Sequence, residues 1–582
     1  MEIAKSVDRL NAMIDPNSPF RGILLGLMMP QESRSADIEY VRQEADRRMT
    51  AHNAIAKAFR SNTRAKQFKS LRDLSKDGAI TKSQLDVGTL TNFSAINGGQ
   101  SLGYVSLDTQ MARGTVRPNS FTLYQCLHKS GAYQVVDYWP YAADTGGGLP
   151  GTAFQGFGNV ASGTLSTSAG VYNLNNITLK LAVNGRAITT ALAAQNSFVD
   201  ITAQENINAA LTVLSSINWT CYWGNPTFFA NQFQGIAGSI PAANTFNYQT
   251  WYASVGTTNG WTSAQGLFNL IYEASAQITN FRQFGRITHA FMSPTAAGSL
   301  QSLVTTVLNN IVTAITPTQE RLSGVVVDGD LQGMRTRFGE IQFPIDLFIS
   351  ARDKPAQAIL FDDGTNYATV SNPLKPTSLS AAVVTGAVAN SAWAGGYVAA
   401  SGVYSYAAAS CDASMNESLL TFISSGAGAG STLAVTGVAA SGAITLTVTP
   451  AEATDAAFRI YRSGLGYAPA TSGAANAASY RYVGTVAASG GSAVTWTDLN
   501  TKIPGSEVIF LLDLDENDFA LDFRYLLPLT KIELFAQNLY MPWAVCMIGA
   551  SRLRIPKFHG LINNYVPDQP NWNPLLPNAS AT

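Results

Sequence analysis

"LTVLSSINWTCYWGNPTFFANQFQGI", residues 211–236, contains both a helix and its end. Leu211, Leu214 and Ile217/Asn218 continue from Ile207 at three- and four-residue spacing, which lines one face of a helix. Gly224–Asn225–Pro226 stops it, because proline lacks the amide a continuing helix needs and disfavours helical backbone just before it. Upstream, Thr202 and Glu205 have capping-box spacing, so a helix is expected over about 200–220. An aromatic loop follows, closing on Phe233–Gln234–Gly235–Ile236.

Further along, helical spacing is expected around 262–281, then a strand "ITHAFMSP", a helix from Thr295 to about Leu308, and strands in "GVVVDGD" and "IQFPIDLFI". From Gly98 to about Val199 the pattern is one of strands and turns. "FTLYQCLHKSGAYQVVDYWPY" (121–141) predicts a hairpin about Ser130–Gly131. "NLNNITLKLAVNGRAITTAL" (173–192) predicts another at Asn184–Gly185, a pair that tolerates positive φ. The glycine-rich "ADTGGGLPGTAFQGFGNVASG" lies between them, and together these suggest an extended β arm.

The first 85 residues are the most charged. Ile38, Val41, Ala45, Met49, His52, Ala56 and Phe59 form the apolar stripe of an amphipathic helix, with Ser35 placed to cap it. No acidic residue occurs between Arg47 and Arg72, a stretch that includes Arg60, Arg64 and Lys66. Such a run serves as a solvated face, or as an arm against an acidic neighbour or nucleic acid phosphate. With 37 basic against 38 acidic residues overall, a protein neighbour is the expected partner of Ile38, Val41, Phe59, Arg60, Arg64 and Lys66.

From Asn372 to Lys502 acidic and basic residues nearly vanish, and prolines flank the segment at 373, 376 and 504. Short strands recur in "GVYSYAAASC", "AITLTVTP", "AAFRIYRSG", "SYRYVGTVAA" and "AVTWTDLN", the spacing of a β-sandwich. Charged residues return after Pro504, so residues 372–504 read as an insert that folds by itself and that a short linker could replace.

The 582 residues suffice for several domains, yet only 13% are charged, about half the usual share. A surface so poor in charge is weakly protected from association, as suits a chain covered by its own copies. Cys126, Cys221, Cys411 and Cys546 form no CxxC pair and read as buried reduced thiols. "MEIAKSVDRLNAM" has no apolar core, so no secretory signal is expected, and no apolar run is long enough to cross a bilayer. There is no P-loop and no HExxH, and the four histidines are scattered. "DLDEND" (513–518) has calcium-loop spacing at Asp513, Asp515 and Asn517, but Asp518 stands where the loop needs glycine and Arg524 where it needs glutamate. No catalytic residue, metal or cofactor is therefore expected.

The order of these phrases resembles the major capsid proteins of tailed bacteriophages. The resemblance rests on a long helix ending in an aromatic-Gly-Asn turn, Phe233–Gln234–Gly235–Ile236, the strand ending at Met292–Ser293–Pro294, the stretch 324–349, and "LLPLTKIELFAQNLYMPWAVCMIGASRLRIPKFHGLINN". It implies an α+β, HK97-like capsid fold. The N-terminal arm would be 1–85, and the first part of the core 86–371, with an extended loop at about 112–198 and the long helix at about 200–220. The second part would be 505–582. Within 372–504, Tyr404, Tyr406, Asn416–Glu417–Ser418 and "FRIYRS" resemble an immunoglobulin-like or fibronectin-type domain, known as an outer decoration of capsids. The implied partner is the chain itself, in hexamers and pentamers. Scaffolding, portal and decoration proteins are further implied partners; packaged DNA would be touched only weakly and non-specifically, and no membrane is involved. The implied location is the virion capsid, assembled in the host bacterial cytoplasm. Two other classes compete: an adhesin or tail-fibre protein binding surface carbohydrate, which predicts repeated sandwiches, and an enzyme with a carbohydrate-binding module, which needs a convergent acid or nucleophile set.

Overall fold

A computed structural model describes residues 120–144, 169–189, 201–281, 283–301, 325–327, 331–352, 373–393, 404–423, 425–426, 442–463, 480–515, 520–535 and 540–567. The elements in chain order are α1 (Thr122–Cys126), β1 (His128–Gly131), β2 (Val136–Asp144), β3 (Val171–Thr178), β4 (Lys180–Thr189), α2 (Ile201–Trp223), β5 (Thr245–Asn247), α3 (Ser263–Thr279), β6 (His289–Phe291), β7 (Val325–Val327), β8 (Leu331–Thr336) and β9 (Gly339–Gln342). Then come β10 (Ser378–Val384), β11 (Tyr406–Cys411), β12 (Thr421–Phe422), β13 (Ser425–Gly426), β14 (Ala443–Thr449), β15 (Ala457–Ser463), β16 (Tyr480–Ala487) and β17 (Val494–Asp498). The last strands are β18 (Glu507–Leu512), β19 (Leu521–Glu533), β20 (Tyr540–Leu553) and β21 (Gly560–Tyr565).

The chain divides into two compact units. One comprises Met1–Pro118, Arg186–Asn208 and Leu534–Pro542; within it Glu205 pairs with Arg186 at 3.2 Å and accepts from Asn208 at 3.2 Å. Thr202 lies inside α2, so the expected Thr202–Glu205 capping box does not form. A capping box occurs instead at Thr262 and Gln265, where it opens α3.

The second unit comprises Asn119–Gly185, Ala209–Glu533 and Trp543–Thr582. Its seven-stranded mixed sheet has the order β5-β21-β18-β6-β9-β8-β7. Leu267, Leu270, Ile271, Ala274 and Ile278 of α3 share a core with Ile509 and Leu511 of β18 and with Ile562 and Tyr565 of β21. A four-stranded sheet has the order β1-β19-β20-β4. The buried face of α2 follows the expected stripe, with Leu211, Leu214, Ile217 and Asn218 all inside. Its C-terminal aromatics reach β18: Tyr222 and Trp223 lie 4.8 Å and 5.1 Å from Phe510, ring centre to ring centre.

Two expected hairpins are overturned. Residues 122–126 are helical, and β1 pairs in parallel with β19, from His128 opposite Asp522 to Gly131 opposite Tyr525, so Ser130–Gly131 is no hairpin turn. β4 runs straight through Asn184–Gly185. Turn propensity is local, whereas each strand here finds its partner far along the chain, and tertiary pairing prevails. The antiparallel ribbon that does form joins β2 to β3, and the glycine-rich connection between them lies outside the described residues. The strand expected through "IQFPIDLFI" ends at Gln342, before Pro344.

All five strands expected within 372–504 form. They build two four-stranded sheets, β13-β10-β14-β17 and β12-β11-β15-β16. One core joins the sheets: Leu379, Ile444, Leu446 and Val448 from the first meet Tyr406, Ala408, Phe458, Ile460 and Val483 from the second, beside Trp393.

Candidate functional site

The feature that stands out for function is the β2–β3 ribbon and its anchor. In an antiparallel pair, directly opposed residues share a face. Tyr138, Pro140 and Ala142 oppose Asn176, Leu174 and Tyr172, so the bulky residues of this set project from one side. Tyr172 is 76% exposed, Leu174 68% and Tyr138 56%. A contiguous apolar face on a two-stranded ribbon has no core of its own to enter, and such patches mark sites of association. Leu181 and Val183 repeat the pattern on β4, both more than half exposed.

The other side of the ribbon is pinned at its base. Trp139 is buried, with the Arg552 guanidinium 5.4 Å above its ring. Asp137 accepts from Arg552 at 2.6 Å and from Arg524 at 3.0 Å. Arg552 also grips Asp522 at 2.5 Å, and Arg524 donates to the Ser130 hydroxyl at 2.8 Å. Charge-assisted forks between guanidinium and carboxylate fix direction as well as distance. The ribbon therefore leaves β19 and β20 at a set angle, with its apolar face free. Arg554, close by, is held below its usual range by burial first and by Arg552 next.

A second buried centre holds α1 against α2. Asp346, just beyond β9, is fully buried and accepts from the Leu123 amide (3.0 Å), Asn218 (3.0 Å), the Tyr222 hydroxyl (3.1 Å) and the Phe348 amide (2.9 Å). Asn218 in turn accepts from the Tyr124 amide at 2.9 Å. Burial pushes the Asp346 carboxyl up, and the four donors oppose that shift. The work of this cluster is positional.

The sequence-predicted contact residues Ile38, Val41, Phe59, Arg60, Arg64 and Lys66 lie outside the described residues. Cys221, Cys411 and Cys546 are buried and Cys126 half-buried, and none of the four is in a disulfide. Burial pushes the Cys221 thiol up to about 12, far from a reactive thiolate. Among the described residues, no three His, Cys, Asp or Glu side chains converge as a metal site. The Asp513 carboxylate accepts from the Asp515 amide at 3.1 Å, and the Asp515 carboxylate lies 4.0 Å from Arg286. No helix among the described residues is long and apolar enough to cross a membrane.

No known family model matches the chain, and no curated protein matches it in sequence. In structure it is similar to the holo-SrpI encapsulin complex of Synechococcus elongatus PCC 7942, at 9% identity and a TM-score of 0.35, over 81% of this chain and 95% of that one. It is similar to the capsid of a native GTA particle at 10% identity and a TM-score of 0.38, over 82% and 100%. It is also similar to the capsid of the cyanophage P-SCSP1u at 11% identity and a TM-score of 0.36, over 84% and 98%. Likeness at this level does not place the chain in a family.

Proposed function

We propose that this chain is a structural subunit that assembles with copies of itself into a closed shell, in the manner of a tailed-phage major capsid protein with an HK97-like fold. The observation that carries the proposal is the anchored ribbon. Tyr138, Leu174 and Tyr172 are held outward on a base fixed by Asp137, Arg524 and Arg552, as an overlap onto a neighbouring copy requires. The near-neutral, charge-poor composition supports the same reading. Many equivalent overlaps turn weak contacts into a stable shell through multivalency.

In this reading copies gather as hexamers and pentamers around packaged double-stranded DNA, in a virion capsid assembled in the host bacterial cytoplasm. Scaffolding, portal and decoration proteins are the further partners. The 372–504 sandwich is an outward-facing immunoglobulin-like decoration. The arm helix lays Ile38, Val41 and Phe59 along another subunit and sets Arg60, Arg64 and Lys66 against its acidic residues, with only weak non-specific contact to DNA.

Gel filtration and negative-stain microscopy of the purified chain test the proposal. Closed isometric shells are expected. Monomers or linear fibres under conditions that support phage assembly overturn it.

A further inference from the structure

A sandwich that merely hangs from a shell buries one face of each sheet and leaves the other to water, so its strands alternate. β11 and β15 do not: all six residues of the first and all seven of the second are buried. Both faces of these two strands are covered. One face is the sandwich core; on the other, Ala407, Ala409 and Tyr461 pack with Leu420, Tyr480 and Tyr482 of the sandwich itself, and this side also meets the body of the unit at two places.

At the first place, the Arg352 guanidinium is clamped between two rings. It lies 4.3 Å over Trp223, the last residue of α2, and 4.5 Å over Tyr482 of β16. Arg459 of β15 donates to the Arg352 carbonyl at 2.6 Å and itself lies 4.7 Å over Tyr482. Glu417 balances that charge at 3.2 Å from Arg459 and accepts from the Tyr461 hydroxyl. Lys502 approaches the same Tyr482 ring at 4.6 Å. Burial raises a phenol's pKa, yet Tyr482 is held below its usual value by Arg352, Arg459 and Lys502. At the second place, the loop after α2 meets the β11 turn. Asn231 donates its amide to the Ala413 carbonyl at 3.2 Å and its side chain to Ser414 at 2.8 Å. Phe229 is buried with Cys411 and Ala457, flanked by Phe228 and Met415.

We infer that Arg352 is a positioning residue that keys the sandwich rigidly to the end of α2, so that the sandwich and the body move as one piece. A half-buried guanidinium held over two aromatic rings, with one of its nitrogens donating to the Tyr482 hydroxyl at 3.3 Å, is an orientation-specific contact. A linker in place of 372–504 would uncover Phe229 and take Tyr482 from Arg352, so the sandwich, though a decoration in the shell reading, cannot be cut away as freely as its strand pattern suggests. The inference does not depend on the shell reading, because every contact lies within one chain.

Hydrogen exchange on the full-length chain tests it, with variant and wild type compared in the same assembly state. Arg352→Ala is expected to raise amide exchange by about tenfold in 225–232 and 412–417 while 443–449, central to the sandwich, keeps its protection. Arg352→Lys keeps the charge without the flat stacking group; it is expected to release the same two segments to a smaller degree, and it serves if the alanine variant is insoluble. Unchanged exchange in both segments overturns the inference, because the contact then does not depend on Arg352. Loss of protection in 443–449 alongside them overturns it too, because Arg352 then supports the sandwich's own fold.

Discussion

Gly224 and Gly235 lie back to back: the Gly235 amide donates to the Gly224 carbonyl at 2.8 Å, closing the loop that ends α2. A Cβ on Gly224 would sit 2.2 Å from the Phe233 carbonyl oxygen, and one on Gly235 2.5 Å from the Gly224 nitrogen and 2.8 Å from the Tyr222 oxygen. Neither glycine has positive φ, so space and not backbone freedom demands them. Gly224→Ala or Gly235→Ala should therefore cost about 1–3 kcal/mol, because backbone cannot yield as a side chain can. Urea denaturation would measure this; a midpoint within error of wild type for both would show the loop can shift freely.

The Asp346 carboxylate makes a sharper case. Asp346→Ala would leave four buried donors, from Leu123, Asn218, Tyr222 and Phe348, without their acceptor. A loss of at least about 3 kcal/mol is expected. Asp346→Asn keeps one acceptor oxygen and should cost less. Chemical denaturation of the two variants gives the order, and equal losses would mean that volume and not hydrogen bonding is at stake.

What could be read in the chain beforehand divides along physical lines. The α2 stripe, its glycine stop and the five sandwich strands were legible, because each depends on residues within a few positions of one another. The pairing of His128 with Asp522, and of Trp139 with Asn175, was not, because nothing local names a partner that distant. Asn184–Gly185 misled because a turn signal is only a preference. The strand "AAFRIYRSG" was legible, but not that its Arg459 and Arg462 are both buried and paired. Asp346 sat in an apolar run that read as a strand, and only the folded chain shows its four donors. The ribbon's anchor was missed for the same reason: Asp137 lies far in sequence from Arg524 and Arg552.

Arg462 gives the next prediction. It is 0% exposed, donates to Asp498 at 2.6 Å and to Asn500 at 2.6 Å, and lies 4.9 Å from the Trp393 ring. Tyr406 donates to the same Asp498 carboxylate at 2.9 Å. Arg462→Met leaves Asp498 buried without its cation and should cost about 3–5 kcal/mol. Adding Asp498→Asn removes the stranded charge and should recover part of the loss. Thermal unfolding of the single and double variants checks this; a double variant less stable than Arg462→Met would contradict it.

His559 sets a pH dependence. Its Nδ1 accepts from the Asp513 amide, and burial pushes its pKa down from 6.5 to about 3. Unfolded, it takes a proton near 6.5; folded, it stays neutral until about pH 3. The unfolded chain thus binds more protons throughout that window, and stability falls as pH drops through it. At about 1.4 kcal/mol per unit, the share at pH 5 is roughly 2 kcal/mol. Asp346, raised by burial, works in the opposite sense, its contribution falling as pH rises above the ordinary carboxylate range. His559→Gln removes only the first effect, so denaturation midpoints at pH 7 and pH 5 should lie closer together than in wild type. An unchanged difference would mean that His559 is already charged in the folded chain.

The ribbon carries the prediction closest to function. Tyr172 and Leu174 project from a two-stranded element whose base is held by Asp137, Arg524 and Arg552. Their exposure means that replacing them should scarcely disturb the isolated fold, since surface changes away from special features fall within about 0.5 kcal/mol. In an assembled shell the same side chains would be buried against a neighbouring copy, where each carboxylate must be desolvated. Tyr172→Asp with Leu174→Asp should therefore leave the unfolding midpoint nearly unchanged while abolishing large assemblies in gel filtration. Asp137→Ala should act differently, loosening the base of the ribbon and lowering shell yield while the apolar face remains intact. Normal shells from the double aspartate variant would remove the ribbon face from the assembly contact altogether.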